Sequence, residues 1–260
     1  MEMLHQAFEN NEEIIRFVDN MSNGNLRKAL DFIVAFVGSA HVDSDKIFRI
    51  IDEQGSYTLP LHEFLRAVIF GDNEYFNPSI SPIINIYDLS SNDPREHFLM
   101  LLVISLIERM GVLGGSEGFV TTTDIYQYFQ RLGFTERQIQ ITIQRAIHKN
   151  LITPPRVREE DIYDRLRILS AGAYTAKKLA NSFSYIDAML IDIPITDPEY
   201  RKNIQQANSI SERLDRIDIF LDYLNKCWDT SLKEMFDWPS HIQIVKNEVS
   251  SIRFRTGRQY

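Results

Sequence analysis

TTTDIYQYFQRLGFTERQIQITIQRAIHKNLITPP, running from Thr121 to Pro155, decides the fold. Thr121-Thr122-Thr123-Asp124 supplies N-cap chemistry for a short helix from Ile125 to Leu132, and Gly133 stops it. Thr135-Glu136-Arg137-Gln138 then leads into a second helix that runs to about Lys149, with Ile139, Ile143, Ala146 and Ile147 as its apolar stripe. Upstream, Pro94 opens a helix that reaches Met110. Downstream come two extended runs, Leu151 to Pro155 and Arg165 to Leu169, around the charged segment Arg156 to Asp164. Three helices with a tight turn between the second and third, followed by a two-stranded ribbon, predict a winged helix.

Working outward, the fold class is mainly α: a helical lid-like bundle over 1–71, a connector over 72–93, the winged helix over 94–195 and a helical C-terminal extension over 196–260. The first region reads as helices near 10–21, 25–38, 43–53 and 60–70, with Ser22 or Asn23 capping the second, Asp43 or Ser44 capping the third and Gly71 closing the fourth. In the second helix Leu26, Leu30, Ile33, Val34 and Val37 keep a three-and-four step and predict a buried stripe. The stretch from Asp72 to Pro94 has three prolines and the apolar patch Ile83, Ile84, Ile86 and Tyr87, which predicts docking on a neighbour. In the extension, Ile204, Ala207, Ile210, Leu214, Ile217, Leu221 and Leu224 keep helical spacing from Pro198 to Cys227. They predict one long helix that self-associates, binds a partner, or packs back on the winged helix. Trp228, Phe236 and Trp238 anchor a turn before a last helix, and the end Arg253-Phe254-Arg255-Thr256-Gly257-Arg258 is basic with an aromatic.

Gly24-Asn25-Leu26-Arg27 opens the second of these helices with a cation in the first turn. Helix N-termini carry partial positive charge and unpaired N–H groups, so Arg27 and Lys28 sit where an anion is expected. GNLRKALDFI resembles the second sensor of AAA+ ATPases, whose lid helix begins with a glycine, a small polar residue, a variable residue and an arginine. That resemblance implies that Arg27 reaches the γ-phosphate of ATP bound on a separate core domain. RILSAGAYTAKKLANSFSYIDAMLIDIPI, with Ala171-Gly172-Ala173 as a small-residue turn, looks like the ending of winged helices attached to AAA+ and STAND ATPases. The two signals follow the family order, lid then winged helix, over about residues 20–195.

The core such a sensor serves is not in this sequence: no GxxxxGK[ST] occurs, and Gly111 to Gly118 lacks the lysine and reads as a loop. The chain is therefore expected to be no enzyme by itself. ATP and Mg enter only if an ATPase core is supplied in cis or in trans. His62-Glu63 begins a HExxH pattern that Arg66 breaks, and Asp43 and Asp45 have calcium-loop spacing without the glycine or the distal glutamate, so no metal is expected. Six scattered histidines and the lone Cys227 suggest no catalytic group.

A winged helix places its third helix in the DNA major groove and its wing on the backbone. The outward candidates are Arg137, Gln138, Gln140, Thr142, Gln144, Arg145 and Lys149, with Arg156 and Arg158 in the wing for phosphates. Residues 94–180 hold twelve Lys or Arg against nine Asp or Glu, a net of +3, inside a chain of net −8. Glu136 and Glu159-Glu160-Asp161 oppose DNA, and such domains also pack on proteins.

With 260 residues and 25% of them charged, no apolar run long enough for a membrane and no basic-apolar leader, the expectation is a cytoplasmic protein. Three functions remain. The first is a non-catalytic lid and winged-helix module of an AAA+ or STAND-type ATPase that couples nucleotide state to DNA or protein. The second is a free-standing DNA-binding transcriptional regulator that dimerises through 198–227. The third is a protein-interaction scaffold.

Overall fold

Helix-start residues fall where helices begin in the computed structural model, which describes residues 11–113, 118–156, 163–204, 207 and 209–256. The chain divides into two units, Met1–Ile84 and Asn85–Tyr260. The boundary lies within the expected connector.

The first unit contains α1 (Glu12–Ser22), α2 (Leu26–Val37), α3 (Ser44–Gln54) and α4 (Leu61–Phe70). Asn11, Asn25 and Asp43 accept amide hydrogen bonds at the starts of α1, α2 and α3. The cap of α2 is thus Asn25 and not Ser22 or Asn23, because Asn23 (φ 54) and Gly24 (φ 72) make the left-handed turn that precedes it. Phe17 packs edge-on against Phe32 and Phe64, each at 5.5 Å, and Phe36 meets Phe64 at 5.6 Å.

That aromatic cluster corrects the expected stripe of α2. Phe32 and Phe36 are buried, whereas Leu26 (75%), Leu30 (51%), Val34 (68%) and Val37 (52%) are exposed. The helix is apolar on both faces, and its larger rings bury more area and find edge-to-face partners, so they take the core side.

The second unit is built around α5 (Leu99–Leu113), which follows a 3-10 turn at Pro94–Phe98 and is buried on most sides. Around it come β1 (Val120–Thr121), α6 (Thr122–Arg131), α7 (Glu136–His148), β2 (Ile152–Thr153) and β3 (Arg165–Ile168). The sheet is antiparallel in the order β1-β3-β2, with Val120 opposite Leu166 and Ile152 opposite Ile168. Helix, strand, two helices and two strands give the winged-helix order. β1 adds a third strand that the two-stranded expectation lacked.

α8 (Ser170–Lys177) begins where a small-residue turn was expected. Ala171, Gly172 and Ala173 lie inside the helix, and a Cβ on Gly172 would stand 2.3 Å from the Leu151 carbonyl oxygen. Their small size thus serves close helix-to-strand packing.

α9 (Phe183–Met189), α10 (Pro198–Asn203), α11 (Ile210–Cys227) and α12 (Trp238–Thr256) complete the second unit. The expected long helix is broken, since Ile204 and Ala207 lie in neither α10 nor α11. Leu214, Ile217, Leu221 and Leu224 are 0–1% exposed, and α11 packs on α9, α10 and α12. The stripe over 198–227 is therefore core, so of the three expectations it is packing back within the winged-helix unit that the structure shows, and not a free self-association surface. The described residues from 196 to 256 belong to the same unit as the winged helix.

At the far end, Phe98 meets Trp228 and Trp238 at 4.9 and 5.2 Å, which fixes the turn before α12. Arg253 of the basic ending pairs with Asp215 and Asp218, while Gly257 and Arg258 lie outside the described residues. Among the described residues no helix is long and apolar enough to cross a membrane.

Candidate functional site

Asn25 holds the first turn of α2 by accepting the Lys28 amide at 3.2 Å, and that turn contains no acidic side chain. Arg27 follows on the rigid helix, exposed, with no hydrogen bond or ion pair to any described residue. Among the described residues, a cation at the positive pole of a helix thus has no compensating anion. Beside it runs the exposed apolar row Leu26, Leu30 and Val34.

On α7 the expected groove-reading set separates into two rows. Gln138 is 5% exposed and is a correction to the outward list: it completes a capping box with Thr135, and its amide donates to the Ser91 hydroxyl at 2.9 Å. Thr142 is buried too. Arg145 donates to Asp88 at 2.7 Å and to the Asn85 carbonyl at 3.2 Å. Lys149 is half-buried, and burial followed by the neighbouring Arg145 lowers its pKa. These residues recur at helical spacing, so Asn85 to Ser91 lies along one row of α7. Arg137 and Gln140 are exposed and Gln144 is half-buried on the other row. Arg156 is exposed, and Arg158 lies outside the described residues.

The segment along α7 is itself anchored. Glu96 is buried and accepts from the Ser90 hydroxyl, from the Ser91 amide at 2.9 Å and from the Ser91 hydroxyl at 2.7 Å. His97 has its ring nitrogens against the Tyr87 carbonyl and the Tyr223 hydroxyl, the latter at 2.9 Å. Burial pushes its pKa down to about 4. A neutral imidazole therefore ties this segment to α11.

Sequence reading missed two cations in β3. Arg165 and Arg167 are exposed, their guanidinium carbons lie 5.2 Å from the Phe119 ring centroid, and neither forms an ion pair with a described residue. The alternation in Arg165-Leu166-Arg167-Ile168 was the available signal, because a half-buried strand turns every second side chain outward.

Glu63, from the broken HExxH pattern, accepts from Lys46 and from the Tyr57 hydroxyl at 2.9 and 2.7 Å. Burial pushes its pKa up, but these two hydrogen bonds and the lysine charge outweigh it, and the net shift is downward. Asp43 is spent on the Lys46 amide. Burial raises the Cys227 thiol pKa, which opposes nucleophilic use.

A cavity of about 870 Å³ in the second unit is walled by Leu89, Leu190, Ile193 and Ile195, with Arg201 at one side donating to the Ile195 carbonyl. Among the described residues no three His, Cys, Asp or Glu side chains converge to hold a metal ion. Comparison with protein-family models, with curated proteins and with solved structures gives no match for this chain.

Proposed function

We propose that this chain is the lid and winged-helix part of an AAA+ or STAND-type ATPase machine, non-catalytic by itself, and that it couples nucleotide state to binding of DNA or protein. The observation that carries this reading is Arg27, an exposed guanidinium in the first turn of α2 with no partner among the described residues. Unsatisfied amides and the helix dipole favour an anion there, and the guanidinium adds a fork matched to phosphate oxygens. Two further features support it. A helical unit precedes a winged helix in the order of that ATPase class, and the exposed row Leu26, Leu30 and Val34 gives the same helix an apolar face toward a partner domain.

The test supplies a P-loop ATPase core in cis or in trans and compares ATP turnover of the wild-type assembly with that of Arg27→Ala. The expected result is a loss of about tenfold or more, the scale of a charge-assisted contact to a transferring phosphoryl group. Equal turnover overturns the sensor assignment.

The reading as a free-standing dimeric regulator is weaker, because the helix assigned to dimerisation is buried in the second unit.

A further inference from the structure

Strand register places five side chains on the outward face of the sheet. Leu166 and Val120 face α5 and are buried, as is Ile152, while its partner Ile168 is half-buried. The alternate positions are Arg165 opposite Thr121, and Arg167 opposite Thr153, with Phe119 continuing the β1 row beside Arg167. Both guanidinium groups stack on Phe119. Among the described residues, Asp124 accepts from the Thr121 hydroxyl, and neither it nor Asp164 pairs with either arginine. Two adjacent, restrained cations, neither paired with a described residue, thus occupy one flat surface.

We infer that this face, Arg165 and Arg167 braced on Phe119 with Thr153 beside them, binds the sugar–phosphate backbone of double-stranded DNA. The inference rests on the DNA-binding branch of the proposed function and deepens it by naming the surface. Three observations favour phosphates over other ligands. Arginine forks match phosphate oxygens, and stacking on a ring removes part of the ordering cost that binding would otherwise incur. Phe119 has its π surface engaged by the guanidinium groups, so bases gain little by stacking there. Among the described residues the face also has no apolar cluster: one half-buried ring among arginines and threonines does not make the desolvated anchor that a protein interface requires. On α7, meanwhile, Gln138 and Arg145 are committed to Ser91 and Asp88, so that row cannot supply the base contacts.

The test is fluorescence polarisation of a mixed-sequence duplex of about 30 bp with the full chain, between about 50 and 200 mM KCl. Wild type is expected to bind with an affinity that falls steeply with salt. Arg165→Ala with Arg167→Ala should flatten the log–log salt slope by about 1.8 and weaken binding at least tenfold at the low-salt end. Arg165→Lys with Arg167→Lys keeps both charges and should keep the slope while losing several-fold in affinity. Arg137→Ala should change affinity less than the double alanine variant does.

No binding by wild type, a double alanine variant with an unchanged slope, or equal binding of a polyglutamate probe each overturns the inference. None of these outcomes touches the Arg27 turnover assay, so the two readings fail separately.

Discussion

Arg145 of α7 is held by Asp88 at 2.7 Å, and through this pair the segment that begins the second unit is fastened along one side of the winged helix's third helix. The Asn85 carbonyl and the Ser91–Gln138 contact extend the same seam. Both charged side chains are about a third exposed or less, so the pair is worth about 1 kcal/mol and not the several of a buried one. A double-mutant cycle of Asp88→Ala and Arg145→Ala in urea should give a coupling near that value. Strict additivity of the two single variants contradicts the seam.

The exposed face of α2 leads to an asymmetric expectation. Leu30→Lys and Val34→Lys should each change stability by no more than about 0.5 kcal/mol, while Phe36→Ala, which opens the cluster with Phe64, should cost about 3–5 kcal/mol. Thermal or urea melts decide it. A large cost for the lysine variants would return that stripe to the core.

This helix also shows where sequence reading stops. The caps at Asp43 and in the Thr121 run were legible because each acts on its own next turn, a local interaction that local sequence encodes. Periodicity reveals that a face is apolar without revealing what covers it. In α2 both faces qualify, and the aromatic partners that decide between them, Phe17 and Phe64, lie on other helices. The stripe of α11 has the same ambiguity, and it resolves inward. Gln138 was recoverable: Thr135-x-x-Gln138 is a capping-box pattern, which commits the glutamine to the helix start before any base can use it. β1 is two residues long and leaves too little pattern to read.

Asp187 is nearly inaccessible and carries two arginines, Arg213 and Arg216, the latter at 2.6 Å and itself buried. Asp187→Ala removes the buried carboxylate that both guanidinium groups contact inside the second unit and should cost about 3–5 kcal/mol. Breaking the exposed Arg16–Glu12 pair on α1 should cost a few tenths. Comparable effects from the two changes would show that the Asp187 site is wet.

His97 and His241 are both buried with pKa values pushed down by burial to about 4, against an unfolded value of about 6.5. Between those two values the unfolded chain binds protons that the folded chain does not, so stability falls as pH drops from about 7, and the loss is complete below about 4. Each histidine contributes on the order of 3 kcal/mol to that difference at most. Chemical denaturation at a series of pH values should show the fall, and His241→Leu should flatten it by about half if it folds. His97→Gln supplies the independent check, and a slope unchanged in both variants excludes these residues as its source.

The most direct measurement concerns the phosphate that distinguishes ATP from ADP. In an assembly with a P-loop core, Kd values for both nucleotides are determined for wild type and Arg27→Ala. If the guanidinium meets the γ-phosphate, ATP affinity should fall by about tenfold or more, about 1.5–3 kcal/mol for a charge-assisted hydrogen bond, while ADP affinity stays the same. Identical ATP-over-ADP preference in the two proteins would contradict the assignment.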